Sequence, residues 1–197
     1  GKAKPTKAMP IGVILTISAA GSELSDSCVI SDESKKLKTG FHHELVRPLF
    51  AIENPELTFS CPPYQTAAGI IDMMSHSFER FMCPSSEYQI ADDWALAVCK
   101  NVVKAALKVI EDPCDYDARG ALMLISGLAH NGATGICKKT SMTVHQTEHA
   151  LSAYDPKITH GAGIGVCYLG WARAFTKEMA PKLAPFARYV FEISVED

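Results

Sequence analysis

The chain has 197 residues, 47% of them hydrophobic, which suits one large domain or two small ones with a real core. A formal net charge of −3 excludes a nucleic-acid footprint. Every long apolar run is broken by Gly, Asp or Lys before membrane-spanning length, which argues against a membrane protein.

Seven cysteines, an odd number without a C-x-x-C pair, argue against a disulfide framework and against a structural zinc site. They read as small buried apolar residues of a reducing compartment. With no signal segment at the start, a cytoplasmic address is the expectation.

The first part of the chain is mixed. Residues 10–16 (PIGVILT) predict a short strand, followed by the loop Ala19-Ala20-Gly21-Ser22-Glu23. Backbone N–H groups of a loop after a strand suit an anion such as a phosphate, although the segment also reads as an ordinary turn. Residues 28–31 predict another strand, Lys35 to Lys38 a solvated basic turn, and residues 46–52 a third strand that Pro48 makes an edge or irregular strand. His42 and His43 read as loop histidines. Asn54-Pro55 and Pro62-Pro63 mark turns that separate residues 1–60 from the rest of the chain.

From Thr66 the hydrophobic period becomes helical. Residues 66–82 place Ile70, Met74, Phe78 and Met82 on one stripe, with Asp72 and His76 offset from it. Ser85 and Ser86 suit the cap of a second helix from about 88 to 110, with Trp94, Val98, Val102, Leu107 and Val109 as core candidates. A third helix is expected over 116–130, with Asn131-Gly132 as its stop and with His130 favoured by the helix dipole. A fourth carries His145 and His149, and a fifth runs from His160 to about Phe175. Pro181 and Pro185 frame a last helical stretch to Phe191. The expected fold is mainly α: a small α/β part over 1–60, then an α-helical part over 61–197.

Three of the seven histidines (145, 149 and 160) lie close together in sequence. His145 and His149 share a helix face, and Asp72 and His76 make a second i,i+4 pair. Alone, an Asp–His pair is more often a surface hydrogen bond than a ligand pair. Two such pairs plus His160 at the head of a helix change that balance toward a metal site. One Asp and several His suit Fe²⁺ or Zn²⁺ with an open position for a substrate oxygen. Four histidines (76, 145, 149 and 160) are in play, so one is free to bond substrate or relay a proton. Gly161-Ala162-Gly163-Ile164-Gly165 lacks a preceding strand and the G-x-G-x-x-G spacing, so it reads as a closely packed helix start.

With these residues assembled, the sequence resembles the iron-containing (group III) alcohol dehydrogenases, in particular the butanol dehydrogenase-like branch. The resemblance is carried by Leu15-Thr16 through Gly21-Ser22-Glu23, Asn54 to Phe59, Gln65 through Asp72 to Glu79, Val144 through His149 to Ala153, and Ile158 to Gly161. It implies an NAD- or NADP-dependent enzyme that uses Fe²⁺ or Zn²⁺ on a small alcohol or aldehyde. The implied metal ligands are Asp72, His76, His145 and His160. His149 matches the histidine that lies between metal and nicotinamide, and Thr16, the Ala19–Ser22 loop (with Gly21) and Lys38 match cofactor contacts.

Three departures accompany it. The family's Gly-rich phosphate loop and its terminal elements have no counterpart here, so the chain reads as a truncated form, inactive or severely impaired alone. Ala20 stands where many members have Thr. The segment Tyr154 to Lys157 is one residue longer before His160, which bears on that histidine's reach. Oligomeric state is left open, with a homodimer allowed. The alternatives are a glycerol dehydrogenase- or dehydroquinate synthase-like enzyme, which the H-x-x-x-H then His-Gly pattern fits less well, and a non-enzymatic helical metal-binding module.

Overall fold

Pro63 opens the helix on which most of the molecule packs. The computed structural model describes residues 5–84 and 90–194. In it α1 (Pro63–Met82) contacts α2 (Ile90–Glu111), α3 (Tyr116–His130) and α5 (His160–Ala174). Proline suits the first helical position because its missing N–H would lack a partner there anyway. The helices α4 (Thr143–Tyr154) and α6 (Thr176–Phe191) complete the set. The fold is mainly α, as the residue pattern implies.

One core cluster joins α1, α2 and α3 around Met73, Val102, Leu122 and Ala129. Another joins α1, α2 and α6 around Phe78, Phe81, Cys99 and Phe186. Along α2 the buried positions are Ala91, Asp92, Ala95, Cys99, Val102, Ala105, Ala106 and Val109, a face of mostly small residues at helical spacing. The expected core residues Trp94 and Leu107 are instead exposed on its outer face. Helical phase outweighs side-chain size there. The expected cap at Ser85 and Ser86 lies outside the described residues.

Pro181 and Pro185 lie inside α6 rather than at its ends. They are four apart, so the N–H that Pro185 lacks is the one that would have reached the Pro181 carbonyl.

The first part of the chain forms two small sheets. β1 (Gly12–Ile14) pairs in parallel with β4 (Phe50–Ile52), while β2 (Ser27–Asp32) and β3 (Leu37–His42) form an antiparallel hairpin. The strand at β3 is unexpected from the sequence, where its start reads as a basic turn. Five of its six residues are exposed, so it has no alternating apolar face to announce it, and its pairing with β2 makes it a strand. His42 accordingly ends a strand, and only His43 lies in a connection, where its Nδ1 accepts the Leu45 N–H. The third expected strand shortens to residues after Pro48. Asn54 caps the short 3₁₀ turn Pro55–Thr58 by accepting the Glu56 N–H.

The hairpin lies along α4. Lys36 at its turn sits over the Tyr154 ring, 4.3 Å from the centroid, and Lys38 Nζ bonds Ser152 Oγ at 2.9 Å. Gly21, with φ +62°, tucks the preceding loop under α3, where an added Cβ would collide with the Ser126 carbonyl. Among the described residues no helix is long and apolar enough to cross a membrane. All seven cysteines are free thiols.

Candidate metal centre

Asp72 and His76 sit one turn apart on the buried face of α1, and His145 faces them from the first turn of α4. The Nε2 atoms of His76, His145 and His160 lie 3.7, 3.4 and 3.7 Å from a single atom, Asp72 Oδ1. Asp72 Oδ1 and His145 Nε2 are buried without a hydrogen-bond partner. Such atoms are costly to leave bare. A divalent cation with ~2.1 Å bonds in tetrahedral geometry separates its ligand atoms by roughly 3.4 Å. The spacing and the bare donors therefore fit a cation.

Asp72, His76 and His145 form the tight buried part of the cluster. His160 stands at its open side, with 30% of its side chain exposed. The segment before His160 forms a turn in which Ile158 N–H reaches the Asp155 carbonyl and Lys157 N–H its side chain. Gly161 lets α5 start against α1, since an added Cβ would collide with the Ala68 carbonyl. The expectation of a closely packed helix start at Gly161 to Gly165 describes the structure.

Each of two histidines is held from behind by a carboxylate. Glu79 Oε2 takes the Nδ1–H of His145, and Glu148 Oε2 bonds Nδ1 of His160. Lys38 Nζ adds a contact to Glu148 Oε2 at 3.3 Å and lies 3.4 Å from His160 Nδ1. Without a cation, burial works against charging His145, but Asp72 and Glu79 outweigh it and raise its pKa to about 9. Burial pushes His76 well below the usual imidazole range. Glu148 is held below the usual carboxylate range, its burial outweighed by His160 and Lys38.

His149 lies beside the cluster rather than in it, its ring centroid 5.2 Å from that of His160. Burial, then Lys38 and His160, push its pKa down to about 4. His130 is the residue whose place the sequence misjudges. Its ring lies against that of His76, tilted by 33° with centroids 3.9 Å apart, and its Nδ1 accepts from Arg80 Nη2 at 3.2 Å. Burial and Arg80 hold it neutral, down to about 3, so a favourable dipole interaction with His⁺ does not explain it. Glu79, Glu148 and His130 had no separate signal beyond spacing: Glu79 continues the D-x-x-x-H run by three residues, and Glu148 directly precedes His149.

The centre opens into a cleft of about 930 Å³ walled by the β2–β3 hairpin on one side and α4 on the other. His76, His145, His149 and His160 line it, as do Ala20, Ser22 and Lys38. Of the other expected cofactor contacts, Thr16 is exposed. Ala19 and Gly21 pack toward α1 and α3, as the close approaches of Gly69 and Gly21 require.

Known proteins match this chain over two stretches. Residues 66–197 match the family model for the "Fe-containing alcohol dehydrogenase family, C-terminal", and residues 1–55 match "Iron-containing alcohol dehydrogenase". NADH-dependent butanol dehydrogenase A of Clostridium acetobutylicum is 40% identical over 85% of this chain and 43% of its own length. NADPH-dependent aldehyde reductase YqhD of Escherichia coli is 32% identical over 74% of this chain and 38% of its own. The crystal structure of NADH-dependent butanol dehydrogenase A from Thermotoga maritima superposes with a TM-score of 0.92 at 31% identity, covering 99% of this chain and 49% of that one. The chain thus spans about half the length of the curated relatives it matches.

Proposed function

This chain belongs to the iron-containing alcohol dehydrogenase family, on its butanol dehydrogenase-like side, and from that premise we propose that it carries the metal-binding part of an NAD(P)-dependent alcohol dehydrogenase or aldehyde reductase. The observation that carries the reading is the convergence of three imidazole Nε2 atoms on the buried, partnerless Asp72 Oδ1. Asp72, His76, His145 and His160 would hold the cation, Fe²⁺ with Zn²⁺ as the alternative. When bound, the cation would supply Lewis-acid polarisation of an alcohol or aldehyde oxygen, and a nicotinamide cofactor would supply the hydride chemistry.

The chain's own residues divide the remaining work. His149, beside His160 in the cleft wall, hydrogen-bonds the substrate oxygen or passes on its proton; its depressed pKa keeps it neutral near pH 7 and able to accept. The apolar part of α4 facing the cleft, Ala150 and Ala153, leaves room for a small carbon chain. Thr16, Ala19, Gly21, Ser22 and Lys38 are the proposed contacts to NAD or NADP. Ser22 and Lys38 have support from the cleft lining. In this reading residues 1–60 belong to the cofactor-binding part and residues 61–197 to the helical catalytic part. The free thiols suit a reducing, cytoplasmic setting.

The 197-residue chain by itself is proposed to turn over poorly, because the described residues of this first part form only two small two-stranded sheets for a dinucleotide to rest on. The test is oxidation of NADH or NADPH with butyraldehyde, alongside metal analysis of the purified protein. Bound Fe²⁺ or Zn²⁺ near one equivalent with little turnover fits the reading. Absence of any metal uptake, or robust turnover by this chain alone, overturns the corresponding half.

A further inference from the structure

Helix α4 begins without a side-chain cap of its own: Met142 precedes Thr143 and offers no oxygen to the first-turn N–H groups. The missing acceptor comes from another helix. Glu79, buried on α1 one turn beyond the His76 level, accepts the Val144 N–H through Oε1 at 2.7 Å and the His145 N–H through Oε2 at 3.3 Å. The same Oε2 also takes Nδ1 of the His145 ring.

We propose that Glu79 is a positioning residue that both caps α4 and commits His145 to bind the cation through Nε2. The inference rests on the metal-centre reading and names a residue outside the ligand set. The reasoning is tautomeric. A carboxylate only accepts, so the ring proton of a neutral His145 must sit on Nδ1 and the Nε2 lone pair is left bare toward Asp72. Carboxylates behind ligand imidazoles characteristically fix ring orientation and raise ligand basicity. Here the carboxylate also fixes the backbone that carries the ring. His149 rides the next turn of the same helix, so the register of two cleft histidines depends on one side chain of α1.

Glu79→Gln separates the two duties. Its Oε1 still accepts the Val144 N–H, the shorter of the two cap bonds, while the His145 N–H loses its acceptor. Its amide N–H₂ now faces Nδ1 and drives the proton to Nε2, the atom the cation needs. The experiment titrates Co²⁺ into the native chain, E79Q and D72N, reading visible absorption and competition with a chromophoric chelator. NMR of Zn²⁺-loaded, ¹⁵N-histidine-labelled native protein and E79Q is recorded beside it.

The expected result is Co²⁺ affinity weakened about 10–100-fold in E79Q. In the native protein the His145 Nδ1–H resonance lies far downfield, as a proton on a carboxylate does, and it moves upfield in E79Q. Affinity of E79Q within about twofold of the native chain, with D72N still abolishing binding, overturns this inference and leaves the metal centre standing. Undiminished affinity in D72N overturns the metal centre itself. Should E79Q fail to fold, absence of the downfield His145 resonance in the native protein overturns the proposal unaided.

Discussion

At the scale of single residues, the molecule tolerates several buried polar groups because each is answered by a partner, and the exceptions are informative. Asp72 Oδ1 and His145 Nε2 are two of these exceptions, and they face each other across the proposed cation site. Glu23 is another: it is buried, Oε1 accepts from Ser126 Oγ at 2.7 Å, and Oε2 has no partner. Burial raises its carboxyl above the ordinary range. The folded chain therefore holds that proton more tightly than the unfolded chain does. Its contribution to stability is fully present below the unfolded pKa of about 4.5 and is lost as pH rises through the raised folded value. Glu23→Gln is expected to be more stable than the native chain at pH 8 by about 1 kcal/mol. The gain should shrink toward pH 4.5. Paired urea titrations at the two pH values check this, and a less stable variant at pH 8 contradicts it.

At the scale of elements, the glycines mark where helices and loops must meet closely. Gly161 brings the head of α5, and with it His160, against the Ala68 carbonyl of α1. Gly161→Ala would push the two helices apart and is expected to destabilise by about 2 kcal/mol, within the overpacking range. Because His160 rides on that helix, metal affinity should fall in the same variant, which a chelator competition reads separately from its melting temperature. An unchanged affinity would mean that the loop before His160 absorbs the shift. The helices of this region were legible from the sequence because their apolar spacing and the i,i+4 pairs Asp72–His76 and His145–His149 are local properties of α1 and α4. The hairpin partner β3 was not legible. Its residues present almost no buried face, and its hydrogen bonds belong to β2. The exposure of Trp94 has a related cause: α2 turns a stripe of alanines to α1, and a large apolar side chain alone does not reveal its phase.

At the scale of the whole molecule, three helices and a hairpin converge on one cleft, and a cation bound there would tie α1, α4 and α5 together. Stability should then depend on metal. Free Zn²⁺ at about 100 times its Kd adds about 2.7 kcal/mol to folding. For a chain of this size that is a rise of roughly 5–10 °C in melting temperature. Excess chelator should reverse it, and D72N should show neither effect. A melting temperature indifferent to Zn²⁺ would argue that the four side chains do not act as one site.

Spacing along the chain is enough to establish which residue types stand ready: an Asp–His pair, a His–His pair and a further His at a helix start, with the helical class that supports them. Those features depend on positions within a single helix, which the 3.6-residue period governs. Only the folded arrangement settles which nitrogen of each ring faces Asp72, which carboxylates stand behind His145 and His160, and that His130 packs on His76. Glu79 and His145 are far apart in the chain and meet only because α4 docks on α1. No local pattern encodes that meeting; the packing of the helices does.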